Sequence, residues 1–205
     1  MKKISFLLIA LVISFTSCKD EKKESKTEID TTESFVVKPE GTTVKWTAYK
    51  TTEKLPVGGK FKILKFENKS GATPQEALNN LSFSIPVSSV FTNDATNTRD
   101  AKIINSFFGA MLDTEFLKGT IKYVNNAYVA SITMNGETNN LPLDVTITEE
   151  RRVKLTGTMN LKDWKALDAL ASLNKVCFDL HKGADGVSKT WDDVAIEVET
   201  YLRKN

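Results

Sequence analysis

The chain has 205 residues, of which 40% are hydrophobic and 26% charged, with a formal net charge of +2. That is enough for one domain with a sizeable core, and its near-neutral balance argues against nucleic-acid binding, which needs a basic patch. One histidine and two cysteines are too few for the usual structural zinc site.

The chain opens with Lys2 and Lys3, then an apolar run from Ile4 to Phe15 broken only by Ser5 and Ser14. This is the layout of a secretory signal, and it is too short to span a bilayer, which takes roughly 20 residues. Phe15-Thr16-Ser17 before Cys18 resembles the lipobox of bacterial lipoproteins, in which small residues precede a cysteine that is diacylated before cleavage. Phe15 stands where Leu is usual. The plainer alternative is an ordinary signal peptide with an incidental cysteine. The abrupt charge run after Cys18 favours the lipoprotein, with residues 1–17 as signal peptide and a membrane anchor at Cys18. "KDEKK" also resembles the short acidic export tags of surface-exposed lipoproteins. The expected location is the cell envelope, as an outer-membrane lipoprotein facing the periplasm or the surface.

Loss of residues 1–17 removes Lys2 and Lys3 and takes the net charge from +2 to 0. Residues 19–34 hold four Lys, six Asp or Glu and one large apolar residue, Ile29. Such a stretch buries too little apolar area to offset its ordering entropy. Residues 18–34 therefore read as lipidated cysteine plus flexible charged tether, and 35–205 as the folded domain. With Cys18 lipidated, Cys177 has no partner for a disulfide and reads as a small buried hydrophobe.

Period-two alternation dominates the domain and predicts strands. In chain order these are "TVKWTAYK", with Val44, Trp46 and Ala48 on one face; "GGKFKILKF", with Phe61 and Ile63 inward; and "LSFSIPVSSV", with Leu81, Phe83, Ile85 and Val87 inward. "KGTIKYV" and "AYVASITM" follow, the second carrying Ile132. Then come "LPLDVTIT", with Leu141, Leu143, Val145 and Ile147 on one face, "RVKLTGTMNL", and "DVAIEVETYL", with Val194, Ile196 and Val198 opposite Glu197 and Glu199.

Tight turns are expected at Asn125-Asn126, Asn135-Gly136 and the Glu149–Arg152 corner, which makes neighbours antiparallel. The predicted fold class is all-β: an eight-stranded antiparallel barrel with one or two short helices in insertions. Closing removes the exposed edges, and eight strands leave an interior for side chains or one small ligand. A two-sheet sandwich is the alternative. The insertions are "TNTRDAKIINSFFG", with residues 103, 104, 107 and 108 at helical spacing, and "KDWKALDALASLNK", with Trp164, Leu167, Leu170 and Leu173 on one helical face behind a cap at Asp163 or Asn160. A short helical turn starts at Pro74.

Signals for chemistry are sparse. His181 is the only histidine, and any Ser-His-Asp or Cys-His arrangement would have to use it. Cys177 lies four residues away, but without the strand-turn-helix context of a nucleophile. "GGK" at 58–60 lacks phosphate-loop spacing, and "KGADGVSKTWDD" lacks the ligand pattern of a calcium loop and reads as a hairpin. Arg99 and Asp100 are the one pair to suspect, and they read as a salt bridge holding the insertion. The chain is not expected to be an enzyme.

The stretch Leu81–Phe108 carries Ser89-Val90, Thr92, Arg99-Asp100 and Phe107-Phe108 in order, flanked by "VKWTAYK" and "VGGKF" before, and "ITMNGETNNLPLDV", "TGTMNLKDW" and "WDDVAIEVE" after. In this it resembles the YceI-like family over residues 42–201, departing at Thr138-Asn139, where the family usually has Thr-Lys. The resemblance implies a lipocalin-like barrel holding an isoprenoid chain, a polyprenol or the tail of an isoprenoid quinone, as bound ligand with no other cofactor. The residues that would line its lumen are Trp46, Phe61, Ile63, Phe83, Ile85, Val87, Phe107, Phe108, Ile132, Leu143 and Val145. The rival reading is a structural or protein-interaction lipoprotein whose barrel is filled by its own side chains. The expected partners are an isoprenoid lipid and the membrane through Cys18; the oligomeric state stays open.

Overall fold

The computed structural model describes residues 33–204. The signal segment, Cys18 and the tether up to residue 32 lie outside the described residues. In chain order the elements are β1 (Phe35–Val36), β2 (Thr42–Lys50), β3 (Leu55–Phe61), β4 (Lys65–Phe66), β5 (Ser70–Gly71), helix α1 (Pro74–Leu78), β6 (Leu81–Pro86), β7 (Val90–Phe91) and helix α2 (Arg99–Lys102). Then come β8 (Phe116–Val124), β9 (Ala127–Met134), β10 (Glu137–Thr148), β11 (Arg152–Asn160), helix α3 (Leu167–Val176), β12 (Asp193–Tyr201) and β13 (Arg203–Lys204).

Every strand pair is antiparallel. Ten strands form one curled sheet in the order β4-β6-β8-β9-β10-β11-β12-β2-β3-β7. The eight predicted strands are all present. The two extra ones arise because two of the eight are bent. β3 leads into β4, and β6 leads through one 3₁₀ turn, Val87–Ser89, into β7. Lys60 pairs with Phe91 and Phe61 with Val90, while beyond the bend Lys65 pairs with Ser84 and Phe66 with Phe83. The two ends of the sheet are thus the two halves of the same pair of bent strands, and the barrel closes at a seam around residues 62–64 and 87–89. Ser89 holds that seam: its carbonyl accepts from the Lys62 amide at 2.9 Å, and its hydroxyl donates to the Pro86 carbonyl at 2.7 Å.

The hairpins follow from local chemistry. Asn125-Asn126 has φ of 52° and 61°, and Asn135-Gly136 has 54° and 71°; these are left-handed positions that Asn and Gly tolerate. Glu149-Glu150 takes the same conformation, at 51° and 60°, without that chemistry.

The strand ends divide the barrel into two poles. At one, β1 pairs with both β13 and β5. A buried cluster built on Phe35, Val37, Leu78, Leu81, Val153, Leu155 and Leu202 fills this pole. Helix α1 adds Ala77 and Leu78 to it; Thr73 caps the helix by accepting from the Glu76 amide, while Glu76 accepts from the Ala72 amide. β1 and the closing three-stranded sheet lack any alternating run and were not predicted.

The other pole carries the turn 51–54 and both long insertions. The first is helical as expected: α2 continues as a π turn over Ile103–Phe107 and a 3₁₀ turn over Phe108–Ala110. The second is not one helix. Leu161–Trp164 form a 3₁₀ turn capped by Asn160, Lys165 is left-handed at φ 51°, and α3 starts only at Leu167. The break rotates Trp164 off the α3 face and into the core, where its indole N–H donates to the Ile132 carbonyl at 2.9 Å. Leu167 is left 46% exposed.

Candidate functional site

Between the filled pole and the helices lies a cavity of about 380 Å³. That is within the range of small-molecule sites, roughly 300–1,000 Å³. Inward residues of the strands make its wall: Val44, Trp46 and Ala48 from β2, Leu141 and Leu143 from β10, and Val194, Ile196 and Val198 from β12. Ile103 and Phe107 from the first insertion, with Leu170 and Leu173 from α3, complete it.

Two aromatic side chains of the wall lie flat because glycine stands opposite them across the sheet. Trp46 faces Gly59, and a Cβ at 59 would come within 2.5 Å of the indole. Phe83 faces Gly119, where a Cβ would come within 2.5 Å of the ring. Each ring occupies the volume its partner's side chain would take, so it covers the wall without filling the lumen. Phe107 and Phe108 meet edge to face, with ring centroids 5.0 Å apart.

Of the eleven residues assigned to the lumen from sequence, Trp46, Phe61, Phe83, Ile85, Phe107, Phe108, Ile132 and Leu143 stand in the cavity wall. Three do not. Ile63 is 49% exposed, because β3 ends at Phe61 and the bend breaks the alternation; Leu64 turns inward instead. Val87 is buried in the 3₁₀ turn at the seam and packs in the upper core rather than on the cavity. Val145 points inward but lies below the cavity, against the cluster of the filled pole.

The motif residues of the first insertion are structural. The Asp100 carboxylate accepts from the Thr92 amide at 3.0 Å and from the Thr92 hydroxyl at 2.6 Å. Arg99 reaches Asp94 at 3.7 Å instead. The expected Arg99–Asp100 salt bridge is therefore replaced by a loop clasp and a separate, partly covered ion pair.

The cavity opens between the insertions, and there its lining turns polar: Lys50, Asp94, Arg99, Lys102, His181 and Thr190. The Lys50 ammonium donates to the Leu180 carbonyl at 2.8 Å. Asn174 Oδ1 accepts from the Thr190 hydroxyl at 2.7 Å and lies 3.2 Å from His181 Nδ1. His181 Nδ1 is also 2.7 Å from that hydroxyl oxygen. With Oδ1 able only to accept, the imidazole proton sits on Nδ1 and Nε2 is left as an acceptor. Burial, reinforced by Lys50, Lys102 and Arg99, lowers the His181 pKa to about 4, so the ring is neutral at pH 7. Burial also raises the Cys177 thiol, against the pull of the same three cations. It is a buried hydrophobe, as its apolar run suggested.

The sequence marks His181 only as the sole histidine and gives no sign of the mouth. Lys50 and His181 are far apart in the chain; the bridge between Lys50 and Thr190, the backbone bonds beside it and the Lys50–Leu180 hydrogen bond bring their segments together. No local signal announces it. Among the described residues, no group of three or more His, Cys, Asp or Glu is placed to hold a metal ion, and no helix is long and apolar enough to cross a membrane.

Comparison with known proteins concerns the fold. A polyisoprenoid binding domain from Saccharophagus degradans, implicated in plant cell wall breakdown, matches at a TM-score of 0.59 with 11% identity, over 85% of this chain and 99% of that one. Burkholderia cenocepacia BcnA matches at 0.47 with 16% identity, over 81% and 98% of the two chains. A mutant Campylobacter jejuni YceI protein matches at 0.49 with 18% identity, over 73% and 85%. No curated protein matches the chain by sequence. The family described as the YceI-like domain matches residues 35–202, from β1 to the end of β12, and the chain therefore belongs to the YceI-like family.

Proposed function

We propose that this chain is a membrane-anchored lipid-binding protein that holds an isoprenoid chain, a polyprenol or an isoprenoid-quinone tail, in the barrel lumen. The observation that carries the reading is the apolar cavity, open at one pole and sealed at the other by the protein's own side chains. The self-filled barrel of the rival reading describes the pole at β1; toward the other pole the core surrounds the cavity. The solved structure from Saccharophagus degradans, a polyisoprenoid binding domain of the same fold, supports the ligand class.

The energetics suit an apolar chain. Burying a CH₂ contributes about 0.8 kcal/mol, so each five-carbon unit contributes roughly 3–4 kcal/mol before ordering costs. A few units suffice for micromolar affinity with no charged anchor inside the lumen. The reading is one of binding rather than turnover: the wall is apolar apart from the Trp46 indole N–H, and the one histidine is engaged at the mouth.

Ile85 stands in the cavity wall and is 6% exposed. Ile85→Trp is expected to abolish isoprenoid co-purification, read by mass spectrometry of an organic extract, while melting shifts little because the cavity takes up the ring. Ser84→Trp, on the outer face beside Lys65 and Lys118, should leave the extract unchanged. A wild-type extract without isoprenoid, together with a large melting loss in Ile85→Trp, would return the protein to the structural reading.

The anchor rests on the sequence around Cys18. Cys18→Ser should release the protein from membranes and end palmitate labelling; retention of both would remove the lipoprotein assignment.

A further inference from the structure

We propose that the open pole of the barrel is itself a docking face for a lipid bilayer, so that an apolar chain passes between membrane and lumen at the mouth. This rests on the reading of the lumen as a lipid site and adds to it a surface that the anchor at Cys18 does not supply.

Exposed apolar side chains are unevenly distributed. Leu55, Val176, Phe178, Leu180 and Val187 are each about half exposed, between 49% and 57%. Single exposures of this kind are ordinary, but a group on one rim is not. Four of the five fall within residues 176–187, and the fifth, Leu55, pairs with Lys50, which bridges to Thr190. The loop is held to shape by the Lys182–Ser188 bridge and by the Gly183 amide bonding the Val187 carbonyl at 2.9 Å. Leu180 is exposed to solvent and also lines the cavity, so this rim is the cavity's own opening.

The charges on the rim are balanced. Residues 50–54, 94–102 and 175–193 hold seven Lys or Arg and seven Asp or Glu, so the rim is as neutral in sum as the chain without its first 17 residues. Ion pairs tie Asp179 to Lys182, Asp94 to Arg99 and Asp193 to Lys54, while Thr hydroxyls hold Asp185 and Asp100. Aromatic rings sit under lysines, Phe178 at 4.9 Å from Lys182 and Trp191 at 3.5 Å from Lys189. Apolar side chains interleaved with lysine stems that keep their heads in the polar layer are the composition that lies in a bilayer interface. A protein seated on the same rim would seal the opening, whereas a bilayer supplies the apolar chain through it.

The test uses the full chain with Cys18→Ser, so that an introduced cysteine is the accessible thiol beside buried Cys177. An environment-sensitive dye is placed at Val187→Cys on the rim or at Val124→Cys in the β8–β9 hairpin at the filled pole. With vesicles of equal parts phosphatidylcholine and phosphatidylglycerol, the dye at 187 should shift to the blue and brighten several-fold while the dye at 124 stays unchanged. Phosphatidylcholine vesicles alone should give a shift in the same direction. Phe178→Asp should remove most of the response at 187 and leave the co-purified isoprenoid as in the wild type.

No shift at 187, or equal shifts at 187 and 124, overturns the proposal. So does a shift at 187 without vesicles accompanied by doubled mass in light scattering, which would assign the face to a second copy of the chain. Isoprenoid in the extract with no shift at 187 sinks docking alone. A shift at 187 from a protein that never yields isoprenoid supports docking and sinks the lumen reading.

Discussion

Trp46 lies flat on the wall because Gly59, across the ladder, offers it no Cβ. In a strand, Gly→Ala is ordinarily neutral or favourable. At 59 the added methyl would meet the indole at 2.5 Å and the Phe91 carbonyl at 3.0 Å. Gly59→Ala is therefore expected to cost about 1–3 kcal/mol by overpacking and, by tipping the ring inward, to reduce lipid co-purification. Gly58→Ala, whose Cβ would meet nothing nearer than 3.5 Å, is the control and should be neutral in chemical denaturation. His181 supplies a second expectation. Its folded pKa of about 4 lies below the ordinary 6.5. Between these values the unfolded chain binds a proton that the folded chain refuses, so stability falls as pH drops from about 6.5 to about 4. Melting followed across that window should show the loss in the wild type and a shallower one in His181→Gln. Asp94, Asp185, Glu53 and Glu197, held below the ordinary carboxylate range chiefly by hydrogen bonds, add their losses lower still.

Alternation made the long strands legible because one face of each meets apolar surroundings and the other meets water. Val194, Ile196 and Val198 line the cavity, while Glu197 and Glu199 face out to Lys45. The same rule misplaced Ile63 because alternation holds only while the chain stays extended, and nothing in "FKILKF" marks the bend after Phe61. It also joined Trp164 to the α3 face, since helical spacing persists across a single left-handed residue, Lys165. The two-residue strands β1, β4, β5, β7 and β13 are too short to show any period; tertiary pairing makes them. Turn chemistry was readable at Asn125-Asn126 and Asn135-Gly136 and is unfavourable at Glu149-Glu150. A left-handed residue without Gly or Asn costs roughly 1–2 kcal/mol. Glu149→Asn with Glu150→Gly should thus stabilise the domain by about 1–2 kcal/mol, read as a rise in melting temperature of roughly 2–4 °C per kcal/mol. The Glu149–Arg152 contact it gives up is exposed and worth little.

At the scale of the whole molecule, the number eight survived because the bends at 62–64 and 87–89 split two strands without changing how many segments encircle the lumen. Whether that lumen is filled was not legible. Inward side chains read alike in a packed core and in a tunnel wall, and the answer depends on which of them lie flat and which point to the axis. The mouth was hidden for a related reason: its cations come from two insertions and a turn, and only closure of the barrel gathers them.

The chain enters the domain at the filled pole, where β1 pairs with β13 and Glu33 forms an ion pair with Lys204. The mouth is at the opposite pole, about 30 Å of strand away at 3.3 Å per residue for the nine residues of β2. With the proposed anchor at Cys18, the tether joins the domain at the pole opposite the mouth. Residues 18–34 have a contour of at most roughly 56–61 Å, so the number of residues between Cys18 and Phe35 becomes the variable that sets how far from its anchor the mouth can reach.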